Sequence, residues 1–354
     1  MTLKIALVGC GRIAKRHSEL LGNNEIKGAG LVAVCDINEN KAAAIGHKFN
    51  IPYYTDMHKM MQHEDIDVVS ILTESGNHAK HVIELASYGK HLIVEKPMAL
   101  TLSDADKMIE ACDNNNCRLF VVKQNRFNVP VLKLRSAMEA GRFGKIFLGT
   151  VRVRWSRDQN YYDQDTWRGT WSMDGGVLTN QASHHIDLLE WMMGVPLSVY
   201  AKSMTALVDI ETEDTAVVII KFVNGALGVV EATTAVRPKD LEGSISILGE
   251  KGSVEIGGFA VNEMKVWEFT ESVPEDENIL ANCKMNPPNV YGFGHKAYYE
   301  HVVDCINNKK QHLIDGLEGR KSLELISAIY ESIETGKEVY LSFQPKKCKL
   351  GNQS

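Results

Sequence analysis

The sequence predicts a doubly wound parallel α/β sheet followed by a second unit of α+β type, built on a large, open, mainly antiparallel sheet. Two observations carry this. Apolar strands and helices alternate with short loops through the first third of the chain. After Asn125 strands dominate, separated by turn signals such as Asn224-Gly225, Gly249-Glu250-Lys251-Gly252 and Gly257-Gly258. The expected division is 1–123 for the first unit and 124–354 for the second.

Residues 4–21 organise the rest. An apolar run, Ile5-Ala6-Leu7-Val8, turns through Gly9-Cys10-Gly11-Arg12-Ile13-Ala14 into a helical pattern in Ile13, His17, Leu20 and Leu21. Gly9 permits a tight turn, Gly11 removes the side chain that would block a pyrophosphate, and Ala14 lets helix and strand pack closely. The helix offers its free N–H groups to the anion. A second apolar run, 30–35, ends on Asp36, placed for both ribose hydroxyls of an adenosine and against a 2′-phosphate. Together these describe a Rossmann unit that binds NAD; the competing reading has Asp36 merely cap the next helix.

The remaining elements follow in order. Helices are expected at 39–49, 57–63, 78–88 and 103–112, the last capped by Ser103 with Asp106 three residues on, and strands at 68–72, 91–94 and 118–122. A helix at 130–140 closes on Gly141. Strands then fall at 146–155, 199–206, 216–222, 226–234, 243–248, 252–256 and 263–268, interrupted by one long helix at 182–193. Helices at 295–307 and 319–335 close the chain, and the lysine-rich end, 346–349, reads as a frayed tail.

A net charge of -6 argues against a nucleic-acid surface. Seven scattered cysteines without a C-x-x-C pair fit a reducing compartment. The first strand begins at the N-terminus, leaving no room for a signal peptide, and no apolar run approaches a membrane span. A cytoplasmic protein is expected. A broad open sheet calls for a covering partner, so a homotetramer or homodimer is expected.

Three places offer chemistry. Glu95-Lys96-Pro97 follows a strand, where ligands bind in a doubly wound sheet, and Lys96 there holds an oxyanion or is a surface lysine paired with Glu95. In 175–191, Asn180, His184 and Asp187 fall at i, i+4 and i+7, one helical stripe; His184 is a general base held by these neighbours or a satisfied core histidine. Adjacent His184 and His185 cannot face one metal and no third ligand is suitably spaced, so no metal is expected. The loop 154–171 interleaves Arg154, Arg157 and Arg168 with Trp155, Tyr161, Tyr162, Trp167 and Trp171, suited to phosphate or carboxylate and to stacking. Arg152 and Arg154 alternate along a strand and lie on an exposed sheet face or at the substrate.

Gly9-x-Gly11-x-x-Ala14, Glu95-Lys96-Pro97 and Gly-Gly-x-x-x-Asn180-x-x-x-His184-x-x-Asp187, in this order, resemble the glucose–fructose oxidoreductase, inositol dehydrogenase and rhizopine catabolism family over nearly the whole chain. The resemblance implies that Lys96 is the catalytic lysine and His184 moves the proton. It also implies a cofactor set of Gly9, Gly11, Arg12, Ile13, Asp36, Thr73, His78, Glu95, Lys96 and Gln124. The usual aspartate is Asn180 here; an amide cannot take a proton, so Asn180 should hold a substrate hydroxyl or acetamido group.

The segments 122–128, 151–157 and 161–171 look like one branch, the UDP-N-acetylglucosaminuronate 3-dehydrogenases of bacterial surface polysaccharide (lipopolysaccharide) synthesis. That resemblance implies a UDP-sugar oxidised at C3, with Lys96, Arg157, Tyr161, Arg168, Asn180 and His184 binding it and a pyridoxal phosphate aminotransferase consuming the ketone. In some members 2-oxoglutarate reoxidises the NADH. An inositol or other sugar dehydrogenase, an NAD-dependent glycosidase and a non-catalytic NAD-binding sugar sensor are the alternatives.

Overall fold

Strand β1 (Leu3–Val8) is buried everywhere but at Lys4, and β4 (Val68–Ile71) at all four positions. A parallel strand covered by helices on both faces needs such a continuous apolar run. The computed structural model describes residues 2–284, 294–310 and 313–341 of the 354-residue chain. The basic stretch 346–349 lies outside the described residues.

The first unit continues as α1 (Ala14–Gly22), β2 (Ala29–Cys35), α2 (Glu39–Phe49), β3 (Tyr53–Tyr54), α3 (Met57–His63), α4 (His78–Ala86), β5 (His91–Val94), α5 (Leu102–Asn114) and β6 (Leu119–Val121). The sheet order is β3-β2-β1-β4-β5-β6, all neighbours parallel. The order reverses between β1 and β4, which opens a crevice at the carboxyl ends of the strands. Asn38 caps α2, accepting from the N–H groups of Asn40 and Lys41, so the competing reading of Asp36 as that cap fails. One cap differs from expectation. Thr101, not Ser103, caps α5: its Oγ1 accepts from Asp104 N–H at 3.1 Å, which puts Ser103 inside the first turn.

The second unit comprises α6 (Val129–Glu139), β7 (Ile146–Arg154), α7 (Gln159–Asp163), α8 (Ser183–Met193), β8 (Pro196–Met204), β9 (Thr215–Phe222), β10 (Leu227–Thr233), β11 (Glu242–Gly249), β12 (Gly252–Gly257), β13 (Glu263–Phe269) and α9 (Ile279–Asn282). After them come α10 (Gly294–Asn307), α11 (Gly316–Thr335) and β14 (Val339–Tyr340). The eight strands run β13-β12-β11-β7-β10-β9-β8-β14, and only β7 with β10 is parallel. One sheet face packs on α6, α8 and α11 through residues such as Leu134, Leu188, Ile220 and Ile329. Helix α10 returns to the first sheet, where Tyr298 and Tyr299 are fully buried with Ile5, Leu20 and Ile93.

The other sheet face is open. Val217 and Ile219 on β9 are about half exposed, at 50% and 52%. In register beside Val217 lie Glu231 of β10 and Arg152 of β7. Arg154 pairs with Glu231 at 2.7 Å and with Glu242 at 3.1 Å, and Arg152 lies 3.6 Å from Glu242. Both arginines therefore belong to the sheet face and not to the cleft.

The expected stripe of Asn180, His184 and Asp187 does not form. Residues Val177–Gln181 make a π-helical turn before α8, whose wider winding takes Asn180 out of phase with the 3.6-residue period that His184 and Asp187 keep within α8. Asp187 faces away, into a buried ion cluster: its carboxylate accepts from Lys123 Nζ and from Arg126 Nε and NH2, both at 2.8 Å. Arg126 also donates to Glu318 at 3.1 Å, and Lys123 to Ser322 at 2.9 Å, so the cluster ties the end of β6 to α8 and α11. Burial opposes the Asp187 charge, but Arg126 and Lys123 hold the carboxyl well below its usual range.

Removing one partner from such a cluster strands the others in low dielectric. Asp187→Ala is expected to cost about 3–5 kcal/mol in urea unfolding at neutral pH. Because the folded carboxyl is depressed, the contribution is present above the unfolded value of about 4 and disappears as pH falls toward the folded one. A loss below about 1 kcal/mol at neutral pH would show that the cluster does not hold the units together.

Candidate active site

A cleft of about 1490 Å³ runs along the carboxyl ends of the first sheet and under the second unit. It is lined by Gly9, Gly11, Arg12, Ile13, Asp36, Thr73, His78, Glu95, Lys96 and Gln124 from one side and by Arg157, Tyr161, Arg168, Asn180 and His184 from the other. The residues expected to bind cofactor and substrate and to carry the catalysis thus meet in one space. Asp187, Arg152 and Arg154 do not line it.

The glycine turn has the shape a dinucleotide needs. Gly9 adopts φ +97°, and a Cβ there would meet the Leu72 carbonyl carbon at 2.7 Å. At Gly11 a Cβ would meet nothing within 4 Å, an open space at the start of α1 where a diphosphate fits. The Asp36 carboxylate accepts Cys10 N–H at 2.7 Å and Asn38 N–H at 2.8 Å, which fixes it beside the turn with lone pairs left for a ribose. These residues fit NAD. His78 is fully buried and spans the carbonyls of Thr73 (2.9 Å) and Pro97 (2.8 Å), so it braces the wall.

Lys96 reaches across the cleft and donates to the backbone carbonyl of Asn180. Burial pushes its ammonium below the ordinary value; Glu95 and Asp174 favour the charge, while Arg168 and Arg157 oppose it. Glu95 is engaged on both oxygens, accepting from the Lys96 backbone N–H at 3.0 Å and facing His17 Nε2 at 3.0 Å. Burial would raise its pKa, but His17, His295 and Lys96 together outweigh this and hold the carboxyl at about 2. His295 Nε2 lies 3.9 Å from the same Glu95 oxygen. His17, Glu95 and His295 are thus close enough to hold an ion, a cluster no sequence spacing announces.

His184 sits in the first turn of α8, with Nε2 2.9 Å from the Gln124 side-chain nitrogen. Burial, then the Lys96 charge, lower its pKa well below 6.5, which leaves the imidazole neutral and able to accept a proton. His185 points into the core against Trp155, where burial pushes it to about 3.

Tyr161 on α7 gathers cations from both units. The guanidinium carbons of Arg12, Arg157 and Arg168 lie 5.2, 5.4 and 5.0 Å from its ring centre. Arg168 donates to Asp165 at 2.9 Å and to the Tyr161 hydroxyl at 3.2 Å, and Arg157 to Asp240 at 2.9 Å. Sequence reading found these arginines but not their convergence on one ring, nor Asp174, which accepts from the Asn180 side-chain NH2. Its place directly before Gly175-Gly176 was the only signal. Tyr330 braces the same turn, accepting from Thr179 at 2.9 Å and donating to Glu213 at 2.9 Å. Burial raises Glu213 to about 7.

Family models match both units: an oxidoreductase family NAD-binding Rossmann fold over residues 3–123 and an oxidoreductase family C-terminal alpha/beta domain over residues 135–341. Among solved structures, the chain is similar to the WlbA dehydrogenase from Bordetella pertussis in complex with NADH and UDP-GlcNAcA, at 40% identity and TM-score 0.89, covering 97% of this chain and 100% of that one. The WlbA dehydrogenase from Chromobacterium violaceum, in complex with the same two ligands, is similar at 43% identity and TM-score 0.90, covering 97% of each chain. Myo-inositol 2-dehydrogenase of Thermotoga maritima is 28% identical over 96% of this chain and 98% of its own. A turn shaped for NAD, a cleft at the switch point and these matches lead to one conclusion: the chain belongs to the glucose–fructose oxidoreductase, inositol dehydrogenase and rhizopine catabolism family of NAD-dependent oxidoreductases.

Proposed function

We propose that the protein oxidises the C3 hydroxyl of UDP-2-acetamido-2-deoxy-glucuronate to the 3-oxo sugar. The observation that carries this reading is the ring of Arg12, Arg157 and Arg168 around Tyr161, in the same cleft as Lys96 and His184. A diphosphate and a uronate carboxylate call for cations at the cleft wall, where Asp240 and Asp165 hold Arg157 and Arg168, whereas a neutral polyol makes no use of them. The similarity to two dehydrogenases crystallised with NADH and UDP-GlcNAcA supports the same class.

In this reading Arg157 and Arg168 hold the sugar's anionic groups, Tyr161 and Asn180 orient it, and Lys96 binds the reacting hydroxyl. His184, neutral in its buried seat, takes the hydroxyl proton while the Lys96 ammonium stabilises the developing alkoxide. NAD on the glycine turn supplies the hydride acceptor. The ketone then suits a pyridoxal phosphate aminotransferase of surface polysaccharide synthesis, and 2-oxoglutarate is a candidate for reoxidising the cofactor in the same cleft. NAD and nucleotide sugars are cytoplasmic pools, which puts the enzyme in the cytoplasm. No helix among the described residues is long and apolar enough to cross a membrane.

The half-exposed Val217 and Ile219 on the open sheet face suit a second copy of the chain. Light scattering is expected to report a dimer or tetramer that Ile219→Lys dissociates; a wild-type monomer would remove the partner.

The substrate is tested by NADH absorbance with the UDP-sugar, myo-inositol or glucose, each with and without 2-oxoglutarate. Turnover of the UDP-sugar is expected, with a KM raised about 10–100-fold in Arg168→Gln and a kcat lowered about 10²–10⁴-fold in Lys96→Met. The acid limb of the wild-type profile should lie below pH 6.5, since His184 stays neutral down to that range. Turnover of myo-inositol or glucose alone, unaffected by Arg168→Gln, would overturn the nucleotide-sugar reading.

A further inference from the structure

Asp174 is 2% exposed and does not line the cleft, yet it controls a group that does. One carboxylate oxygen accepts Gly169 N–H at 2.9 Å and the other accepts from the Asn180 side-chain NH2. An ionised carboxylate can only accept, so it dictates which end of the Asn180 amide faces it. The Asn180 carbonyl oxygen is thereby turned to the other side, where Gln181 Nε2 donates to it at 3.0 Å; both Asn180 and Gln181 line the cleft. Asn180 thus links Asp174, through its side chain, to the Lys96 ammonium, through its backbone carbonyl.

The charges around Lys96 make this position matter. Arg157 and Arg168 face it from the second unit, His184 from α8, and Glu95 from its own loop. Glu95 already serves His17 and the Lys96 backbone N–H. Asp174 is the other carboxylate whose charge reaches Lys96.

We propose that Asp174 is a positioning residue that fixes Asn180 as a hydrogen-bond acceptor toward the substrate and supplies, from behind the cleft wall, a negative charge that counters Arg157 and Arg168 at Lys96. The group meeting Asn180 must then be a donor, a sugar hydroxyl or an acetamido N–H. This inference rests on the sugar lying against Asn180 as proposed above.

Asp174→Asn tests it with little change of shape. The new amide oxygen still accepts Gly169 N–H, but its NH2 meets the NH2 of Asn180, which must turn over and present a donor to the cleft. Adding Asn180→Asp restores an acceptor and a negative charge one residue nearer the sugar. The titration of Lys96 is followed by ¹³Cε NMR in the NAD complex without sugar, and kcat/KM is followed against pH with the UDP-sugar. Asp174→Asn is expected to move the Lys96 titration and the alkaline limb to lower pH, because a lost carboxylate disfavours the ammonium, and to lower kcat/KM about 10–100-fold. The double variant should recover most of both. An unchanged titration with kcat/KM within about twofold of wild type, or a double variant no better than Asp174→Asn, overturns the proposal. Wild-type inactivity on the UDP-sugar with the titration still shifted would sink the substrate reading and leave the Asp174 charge assignment standing.

Discussion

The site depends on a hydrogen bond across the cleft: the Lys96 ammonium, carried at the end of β5, donates to the backbone carbonyl of Asn180 on the turn before α8. Each half depends on the other for it. The first sheet supplies a strand end that places a lysine at the switch point, and the second unit supplies the Asn180 carbonyl on the π turn. Around this contact stand Arg12, Arg157 and Arg168 on one side, the last two paired with Asp240 and Asp165, and a neutral His184 on the other. A buried ammonium in such company needs carboxylates, and Glu95 and Asp174 stand on either side of it.

The rigidity of that arrangement comes from polar groups set behind the wall. His78 bridges two carbonyls, His17 stands between Glu95 at 3.0 Å and Tyr299 at 2.6 Å, and Tyr330 with Glu213 supports the turn from Gly176 to Thr179. Asp187 with Lys123 and Arg126 locks α8 to the first sheet and to α11 without touching the cleft. A site built this way holds its reacting groups within the tolerance that proton and hydride transfer require.

Much of this was legible in the sequence because its signals are local. Continuous apolar runs told of parallel strands covered on both faces, and Gly9, Gly11 and Asp36 carried the cofactor site within a short stretch. What was not legible depends on contacts across the chain or on backbone winding. An ordinary helical period put Asn180, His184 and Asp187 on one stripe, whereas Asn180 sits on a π turn before α8 and Asp187 is drawn into the ion cluster with Lys123 and Arg126, away from the cleft that Asn180 and His184 line. Arg152 and Arg154 were undecided until the register set them beside Glu231 and Glu242. Thr101 and Ser103 are equally good caps by composition, and only geometry selects Thr101. Asp174 carried no signal of its own, and only the fold sets it against the Asn180 side chain.

The central claim, hydride removal from C3 of a nucleotide sugar held between Lys96, His184 and the arginine ring, is tested most directly by isotope transfer. UDP-2-acetamido-2-deoxy-glucuronate carrying deuterium at C3 is turned over once by the NAD enzyme, and the cofactor is weighed by mass spectrometry. One deuterium in the reduced cofactor, with none in Lys96→Met, is the expected result. Reduced cofactor without deuterium would contradict the C3 assignment, and no reduced cofactor at all would contradict the substrate.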